Sequence, residues 1–280
     1  MRALVSAPEL LEELTTDPGS VVLVDVQWSL TTTAGPPGRD LYAAAHLPGA
    51  HHVDLDAELA GPPGRGGRHP LPQAHAVAAA AQRCGAGNDS RIVTYDQGSS
   101  HAAARAWWVL RHFGASDVRV LDGGLAAWQA AGGPVTTDLP EPGVGTFEAH
   151  AGGMLLVDAE GAARAARDGV LLDARTAERF RGENEPIDPV AGRVPGAVSS
   201  PTADYVGPDG RFLPVEQLQE LFSRKGLPVA GPVAAYCGSG VTAAHEVLAL
   251  HEAGIEAALY AGSWSDWITD PSRPVVTGDA

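Results

Sequence analysis

Cys237 is the residue best placed for chemistry. The run Val233-Ala234-Ala235-Tyr236 reads as a buried strand, Cys237-Gly238-Ser239-Gly240-Val241-Thr242 as a tight turn, and the Ala-rich stretch from Thr242 as a helix. A thiol at such a turn faces the unpaired N–H groups of the helix's first turn. Those donors, together with the helix dipole, favour thiolate over thiol. Gly238 and Gly240 permit a curled backbone that aims successive N–H groups at one point, an anion-binding nest, and Thr242 can add its hydroxyl as cap or donor. The pattern describes a nucleophilic sulfur in a cup of neutral donors. A buried structural cysteine is the other reading of a lone thiol, and the glycines on both sides of Ser239 weaken it. A tyrosine-phosphatase-type site needs Arg six residues after the cysteine, where Ala243 stands. No local signature supports a cysteine protease, and His245 is expected on the surface of the following helix.

The elements that must position this turn come in two copies. An apolar run ending in Asp opens each copy: Val21-Val22-Leu23-Val24-Asp25 and Val170-Leu171-Leu172-Asp173. Then come Leu47-Pro48-Gly49-Ala50 and Val194-Pro195-Gly196-Ala197, followed by Thr94-Tyr95-Asp96-Gln97-Gly98 and Ala235-Tyr236-Cys237-Gly238-Ser239. Last, the stretch from Leu121 to Trp128 aligns with that from Tyr260 to Trp267, 32 residues after Asp96 and 30 after Cys237 for the two closing tryptophans. Four landmarks in the same order predict two homologous domains, 1–140 and 141–280. The Pro/Gly-rich stretch from Pro134 to Gly153 reads as their connection. Strands are expected at Val21–Val26, Arg91–Tyr95, Val118–Leu121, Val170–Asp173, Val233–Tyr236 and Ala257–Tyr260. Helices are expected at Ala102–Phe113 and Thr242–Ala253, stopped by Gly114 and Gly254. This alternation implies an α/β fold, each domain a mostly parallel sheet with helices on both faces. Ligands bind beyond the carboxyl ends of such strands, where Asp96 and Cys237 fall.

Composition narrows the partners. With 34 acidic and 19 basic side chains the net charge is −15, which argues against nucleic acid and against an anionic lipid surface. The excess is greater after residue 140, net −10 against −5 before it, yet Arg175, Arg179, Arg181 and Arg193 fall there in one short stretch. The 44% hydrophobic fraction suits a globular chain. Two cysteines give no disulfide framework and no C-x-x-C motif, so neither metal nor cofactor is expected. The first residues turn acidic before any signal-like apolar core, and no run reaches a membrane span, so a soluble cytoplasmic protein is the expectation.

Taken together, the two repeats, the PGA turns, Gly67-Arg68-His69-Pro70-Leu71-Pro72 and the loop Cys237-Gly238-Ser239-Gly240-Val241-Thr242-Ala243 resemble the rhodanese family of sulfurtransferases in its two-domain form. The loop is similar to that of the 3-mercaptopyruvate-using members; thiosulfate-using members more often carry basic residues just after the cysteine. The resemblance implies two tandem rhodanese-like domains, only the second catalytic, because Asp96 stands at the cysteine position of the first. It implies that Cys237 takes sulfur from 3-mercaptopyruvate as a persulfide, releases pyruvate, and passes the sulfur to a thiol, thioredoxin or cyanide. Gly238, Ser239, Gly240, Val241 and Thr242 would hold the anionic sulfur, and Arg179, in Arg179-Phe180-Arg181-Gly182, would bind the donor's carboxylate. Arg175 and Arg181 read as structural or solvated. A thiosulfate:cyanide sulfurtransferase is the alternative, and a non-catalytic persulfide-binding module a more distant one. A monomer is expected.

The resemblance further implies a proton relay of Ser239, His69 and Asp56, which requires a cleft between the domains; a loop His and a capping Asp are the competing reading. Two departures bear on the donor. Ile187 follows Glu185-Pro186 where mercaptopyruvate-using members commonly carry a second carboxylate-binding Arg, and Arg193 replaces the His of the second PGA turn. Elsewhere, Cys84 reads as a small, partly buried side chain and His46, His51 and His52 as loop residues, not a metal cluster. Trp107, Trp108, Trp128, Trp264 and Trp267 read as packing residues.

Overall fold

Residues 2–29, 36–227 and 230–279 are described by the structure, a computed structural model. The chain divides into two units. The first comprises Met1–Gly61, Pro72–Met154 and Gly207–Phe212, and the second Pro62–Leu71, Leu155–Val206 and Leu213–Ala280. The sequence on each side of Met154 thus gives one short segment to the unit formed mainly by the other side.

In the first unit the elements run β1 (Leu4–Val5), α1 (Ala7–Thr16), β2 (Val21–Asp25), α2 (Gly38–Ala44), β3 (His51–His52), α3 (Leu55–Glu58), α4 (Ala74–Arg83), β4 (Arg91–Tyr95), α5 (His101–His112), β5 (Asp117–Leu121) and α6 (Gly124–Ala130). The second unit repeats the scheme with β6 (Leu156–Val157), α7 (Ala159–Asp168), β7 (Val170–Asp173), α8 (Ala177–Arg181), β8 (Val198–Ser199), α9 (Val215–Arg224), β9 (Val233–Tyr236), α10 (Val241–Glu252), β10 (Ala258–Tyr260) and α11 (Ser263–Trp267). The strand orders correspond position by position, β1-β5-β4-β2-β3 and β6-β10-β9-β7-β8, and every pair is parallel. The sequence locates the inner strands and both long helices to within a residue. It misses the outer strands β1, β3, β6 and β8, whose two residues are too few to carry a periodic pattern.

The repeated landmarks owe their co-occurrence to one buried device. Asp25 and Asp173, both fully buried, end the second strand of each sheet and accept the N–H two residues on, from Gln27 at 2.9 Å and Arg175 at 3.1 Å. Tyr95 and Tyr236 lie on the neighbouring strands, and their hydroxyls accept from Leu47 N at 3.0 Å and Val194 N at 3.2 Å, the first residues of the two PGA turns. Burial, reinforced by the facing Asp, pushes both hydroxyls well above their ordinary pKa. Strand end, PGA turn and tyrosine are one hydrogen-bonded unit, so they recur together.

All five tryptophans read as packing residues are at most 3% exposed. Trp128 lies with Val5, Leu10, Leu23 and Val93 in the first core, and Trp264 and Trp267 with Leu171, Phe180, Val194 and Tyr236 in the second. The stretch from Pro134 to Gly153 contains no helix or strand, yet it is pinned to the first unit. Gly143 N and Gly145 N bond Arg83 O and Gln82 O, Phe147 N bonds Ala86 O, and the Phe147 ring is fully buried.

Glu246, on α10, is expected to make the stability of the second core depend on pH. Its side chain is fully buried, and Oε1 accepts from the Tyr205 hydroxyl at 2.7 Å. Burial raises its pKa from 4.5 to about 8. A carboxyl raised on folding contributes fully below its unfolded value of 4.5, and that contribution is lost as pH climbs through 8. The loss is on the order of a few kcal/mol, at about 1.4 kcal/mol per pKa unit. Thermal midpoints measured from pH 5 to 9 are therefore expected to fall in the native chain and to fall less in Glu246→Gln. Parallel curves would contradict this origin.

Candidate active site

Cys237 directly follows Tyr236, the last residue of β9, and α10 begins four residues later at Val241. The thiol is 2% exposed, and its Sγ accepts the Gly240 N–H at 3.1 Å. The backbone beneath it is gripped by the start of α11. Cys237 N donates to Ser263 Oγ at 3.0 Å, while Trp264 N and Ser265 N donate to Cys237 O and Gly238 O, both at 2.9 Å. Ser263 takes a left-handed φ of 55°, a strained conformation for a residue with a side chain, and its hydroxyl also donates to Tyr260 O at 2.8 Å.

The two loop glycines serve different ends. Gly240 has φ +83°, and a Cβ there would meet Ala261 O at 2.2 Å, so both conformation and space demand glycine. Gly238 leaves room for two side chains instead, whose ends would have to shift for any larger residue. A Cβ there would lie 2.9 Å from Arg68 Nη2 and 3.3 and 3.5 Å from Arg179 Nη2 and Nη1. Two guanidinium groups therefore lie against the residue next to the thiol.

Both cations are held by carboxylates. Arg179 donates to Glu185 through Nε at 2.9 Å and Nη2 at 2.7 Å, and through Nη2 to Asp188 at 3.1 Å. Arg68 Nη1 pairs with the other oxygen of Asp188. Burial raises the Asp188 pKa, and the Arg68 charge only partly opposes it. For Glu185, burial pushes up but the Arg179 fork and backbone N–H groups prevail and lower it.

Arg175 is structural. It is 3% exposed, forks onto Asp173 with Nη2–Oδ2 at 2.6 Å, and stands 4.8 Å over the Trp264 ring. Burial would lower its pKa, but Asp173 outweighs that and raises it. Arg181 pairs with Glu183 at the surface. Arg193 is structural too. It stacks 4.3 Å over Phe180 and donates to Gly278 O at 2.6 Å and Asp279 O at 3.2 Å, tying the end of the chain to the unit. Ile187 is 40% exposed.

His69 and Ser239 come together, with Nδ1 and Oγ 2.8 Å apart. Pro62–Leu71 belongs to the second unit, so this pair forms within one unit without the cleft that the sequence reading required. Arg68 N donates to Ser265 Oγ at 3.0 Å, which sets the segment against the start of α11. Asp56 belongs to the first unit, where its Oδ2 accepts from Trp28 Nε1 at 3.0 Å. The capping residue of α3 is Asp54, not Asp56.

Other expectations need correcting. Thr242 is not the cap of α10; Gly240 holds that position and no side chain caps. Val241, the first residue of α10, is buried, and Thr242 half-buried. His245 is 1% exposed, because α10 is apolar on nearly every side and lies inside the unit. His46 is buried and stacks on Tyr42 at 3.9 Å, and His51 and His52 form β3. Cys84 is 5% exposed, and burial pushes its thiol up to about 12. Among the described residues, no group of three or more His, Cys, Asp and Glu side chains could hold a metal ion, and no helix is long and apolar enough to cross a membrane. The sequence reading gave no role to Arg68, Asp188 or Ser263. The available signals were Arg68 beside His69 and a Ser at 263 aligned with Gly124, which shares its φ of 55°.

At the matching place in the first unit, the nest already holds an anion. Asp96 Oδ1 accepts from Gly98 N and Ser100 N, both at 2.9 Å, and Oδ2 from Ala102 N at 3.1 Å and Ala103 N at 3.3 Å. Counted from the helix starts, Ser100, left-handed at φ 57°, corresponds to Gly240, and Ala102 and Ala103 to Thr242 and Ala243; the turn after Asp96 is one residue longer than that after Cys237.

Comparison with known proteins agrees with this geometry. The family model of the rhodanese-like domain matches twice, at residues 6–131 and 158–270. The chain is 48% identical to a probable 3-mercaptopyruvate sulfurtransferase of Pseudomonas aeruginosa, over 99% of this chain and 98% of that protein. It is 43% identical to a putative thiosulfate sulfurtransferase, SseB, of Mycobacterium tuberculosis, over 100% and 98%. The crystal structure of SseA from Escherichia coli superposes with a TM-score of 0.81 at 31% identity, covering 95% of this chain and all of that one.

Proposed function

The chain belongs to the rhodanese family of sulfurtransferases, and from that premise we propose that Cys237 carries sulfur from 3-mercaptopyruvate to a thiol, thioredoxin or cyanide. The observation that carries this reading is the cysteine turn itself: a thiol accepting the Gly240 N–H at the mouth of α10, with two guanidinium groups against the next residue.

In the first half-reaction the Cys237 thiolate attacks the donor's sulfur. An S–S bond forms, the donor's C–S bond breaks, and its electron pair goes to the methylene carbon as the enolate of pyruvate. The proton from the donor's thiol ends on that carbon, so pyruvate leaves with no net proton uptake. His69 and Ser239, hydrogen-bonded at 2.8 Å, are the proposed carriers of that proton. The persulfide's outer sulfur is anionic and is held by the loop from Gly238 to Thr242, where Thr242 N and Ala243 N occupy the places of the two first-turn donors that Asp96 engages in the first unit. In the second half-reaction the acceptor takes that sulfur and frees the thiolate, so initial rates follow a ping-pong pattern. Domain 1–140 is proposed to be non-catalytic, since the Asp96 carboxylate cannot carry sulfur.

Arg179 is the proposed carboxylate partner. Arg179→Ala is expected to raise KM for 3-mercaptopyruvate by about tenfold or more, the worth of one charge-assisted hydrogen bond, with a smaller change in kcat. An unchanged KM would remove that role. The donor is tested by comparing pyruvate formed from 3-mercaptopyruvate with thiocyanate formed from thiosulfate and cyanide. A strong preference for thiosulfate, as the name of the Mycobacterium relative suggests for that protein, would make thiosulfate the donor.

A further inference from the structure

We propose that Arg68 is a second donor-binding cation of this site, forming with Arg179 a two-guanidinium clamp over Gly238 that takes the carboxylate of the donor. The proposal rests on the sulfur-transfer reading of Cys237 and adds the residue that sets its preference for a carboxylate-bearing donor.

Three observations carry it. First, Arg68 Nη2 and Arg179 Nη1 converge on one backbone position, 2.9 and 3.5 Å from where a Gly238 side chain would begin, and that position adjoins the thiol. Arg179 Nη2 lies there too, at 3.3 Å, while it and Arg179 Nε hold Glu185 and Asp188 and Arg68 Nη1 holds Asp188. Second, Asp188 joins the two arginines through one oxygen each, which fixes the spacing of the forks before any ligand arrives. Third, Arg68 is placed by the loop it serves: its N–H bonds Ser265 Oγ, and the next residue, His69, bonds Ser239.

A structural ion pair is the rival role. Against it, the Arg68 side chain remains 31% exposed while that of Asp188 is 2% exposed, and its Nη2 lies against Gly238. Arg175 shows what a structural arginine looks like here: its side chain is 1% exposed, with its fork spent on Asp173 and Gly192 O. Chain neighbours aside, the three heavy atoms nearest the point where a Gly238 side chain would begin all belong to the guanidinium groups of Arg68 and Arg179, so the charge beside the thiol's neighbour comes from both. A carboxylate seated between two guanidinium groups receives donors from two sides, which a single Arg cannot provide.

The test uses Arg68→Gln, which keeps an N–H for Asp188 and removes the charge, with Arg68→Ala beside it. Steady-state kinetics with 3-mercaptopyruvate should show KM raised by about tenfold, with kcat changed far less. The second readout needs no sulfur chemistry: the rate of Cys237 alkylation by iodoacetate, which bears a carboxylate, divided by that by neutral iodoacetamide, followed by peptide mass. This ratio should fall by about tenfold in Arg68→Gln, whereas a structural role would shift both rates together. An unchanged KM or an unchanged ratio overturns the clamp. The underlying reading fails separately, if the native chain forms no persulfide on Cys237 with either donor.

Discussion

Replacing Cys237 with Ser is expected to reduce sulfur transfer by a thousandfold or more, on the order of the loss seen when a covalent nucleophile is removed, while leaving stability almost unchanged. The two effects separate because the side chain has two partners of different kinds. Toward the protein, Sγ accepts a single N–H from Gly240, and a serine Oγ accepts it equally well in nearly the same volume. The backbone anchors to Ser263, Trp264 and Ser265 do not involve the side chain at all. Toward the donor, by contrast, the reaction requires an S–S bond, and a hydroxyl cannot supply the sulfur. Mass spectrometry after exposure to donor should show one added sulfur atom on the Cys237 peptide of the native chain and none in the variant. Turnover by Cys237→Ser at the native rate, with its thermal midpoint intact, would place the chemistry elsewhere. Cys84 is no substitute, since burial pushes its thiol up to about 12.

How far the site was legible depended on how local its parts are. The place of Cys237 between a strand end and a helix start could be read because strand, turn and helix start occupy one continuous stretch. The sheets were legible for the same reason wherever strands are long enough to show an apolar run. Contacts made across long sequence separations were not. Arg68 and Asp188 are 120 residues apart, and nothing in the composition of either segment announces that they meet. Gly238 shows the same limit: a glycine beside a cysteine suggests backbone freedom, and nothing local announces the two arginine ends from distant segments that lie against it. His245 was misjudged because a helix that is apolar all round has no polar face on which to place a histidine.

Asp96→Ala is expected to cause the largest loss of stability of any single change considered, about 3–5 kcal/mol, by the cost of leaving buried donors unsatisfied. The carboxylate is 1% exposed and accepts four backbone N–H groups, two from the turn and two from the first turn of α5. Alanine removes every acceptor at once, and the methyl group fills too little of the cup to exclude water or to replace it. Each unpaired buried donor costs about 1–3 kcal/mol, and partial hydration keeps the sum below four times that figure. For a unit of this size the thermal midpoint should drop by roughly 10 °C. Asp96→Asn should recover only part of the loss, because its amide supplies one acceptor oxygen where the carboxylate supplies two, and sets an N–H₂ against backbone donors. A midpoint unchanged in Asp96→Ala would mean that the turn does not depend on an anion. The outcome bears on Cys237 as well. If the first nest requires a negative charge to close, then the second, built on the same strand order with a left-handed residue at the same helix start, is a scaffold whose donors favour whatever anion its cysteine carries. That would make the divergence of the two domains a matter of occupancy: one nest holds a permanent carboxylate, and the other, on the proposed function, a sulfur that would gain and lose a second sulfur in each cycle.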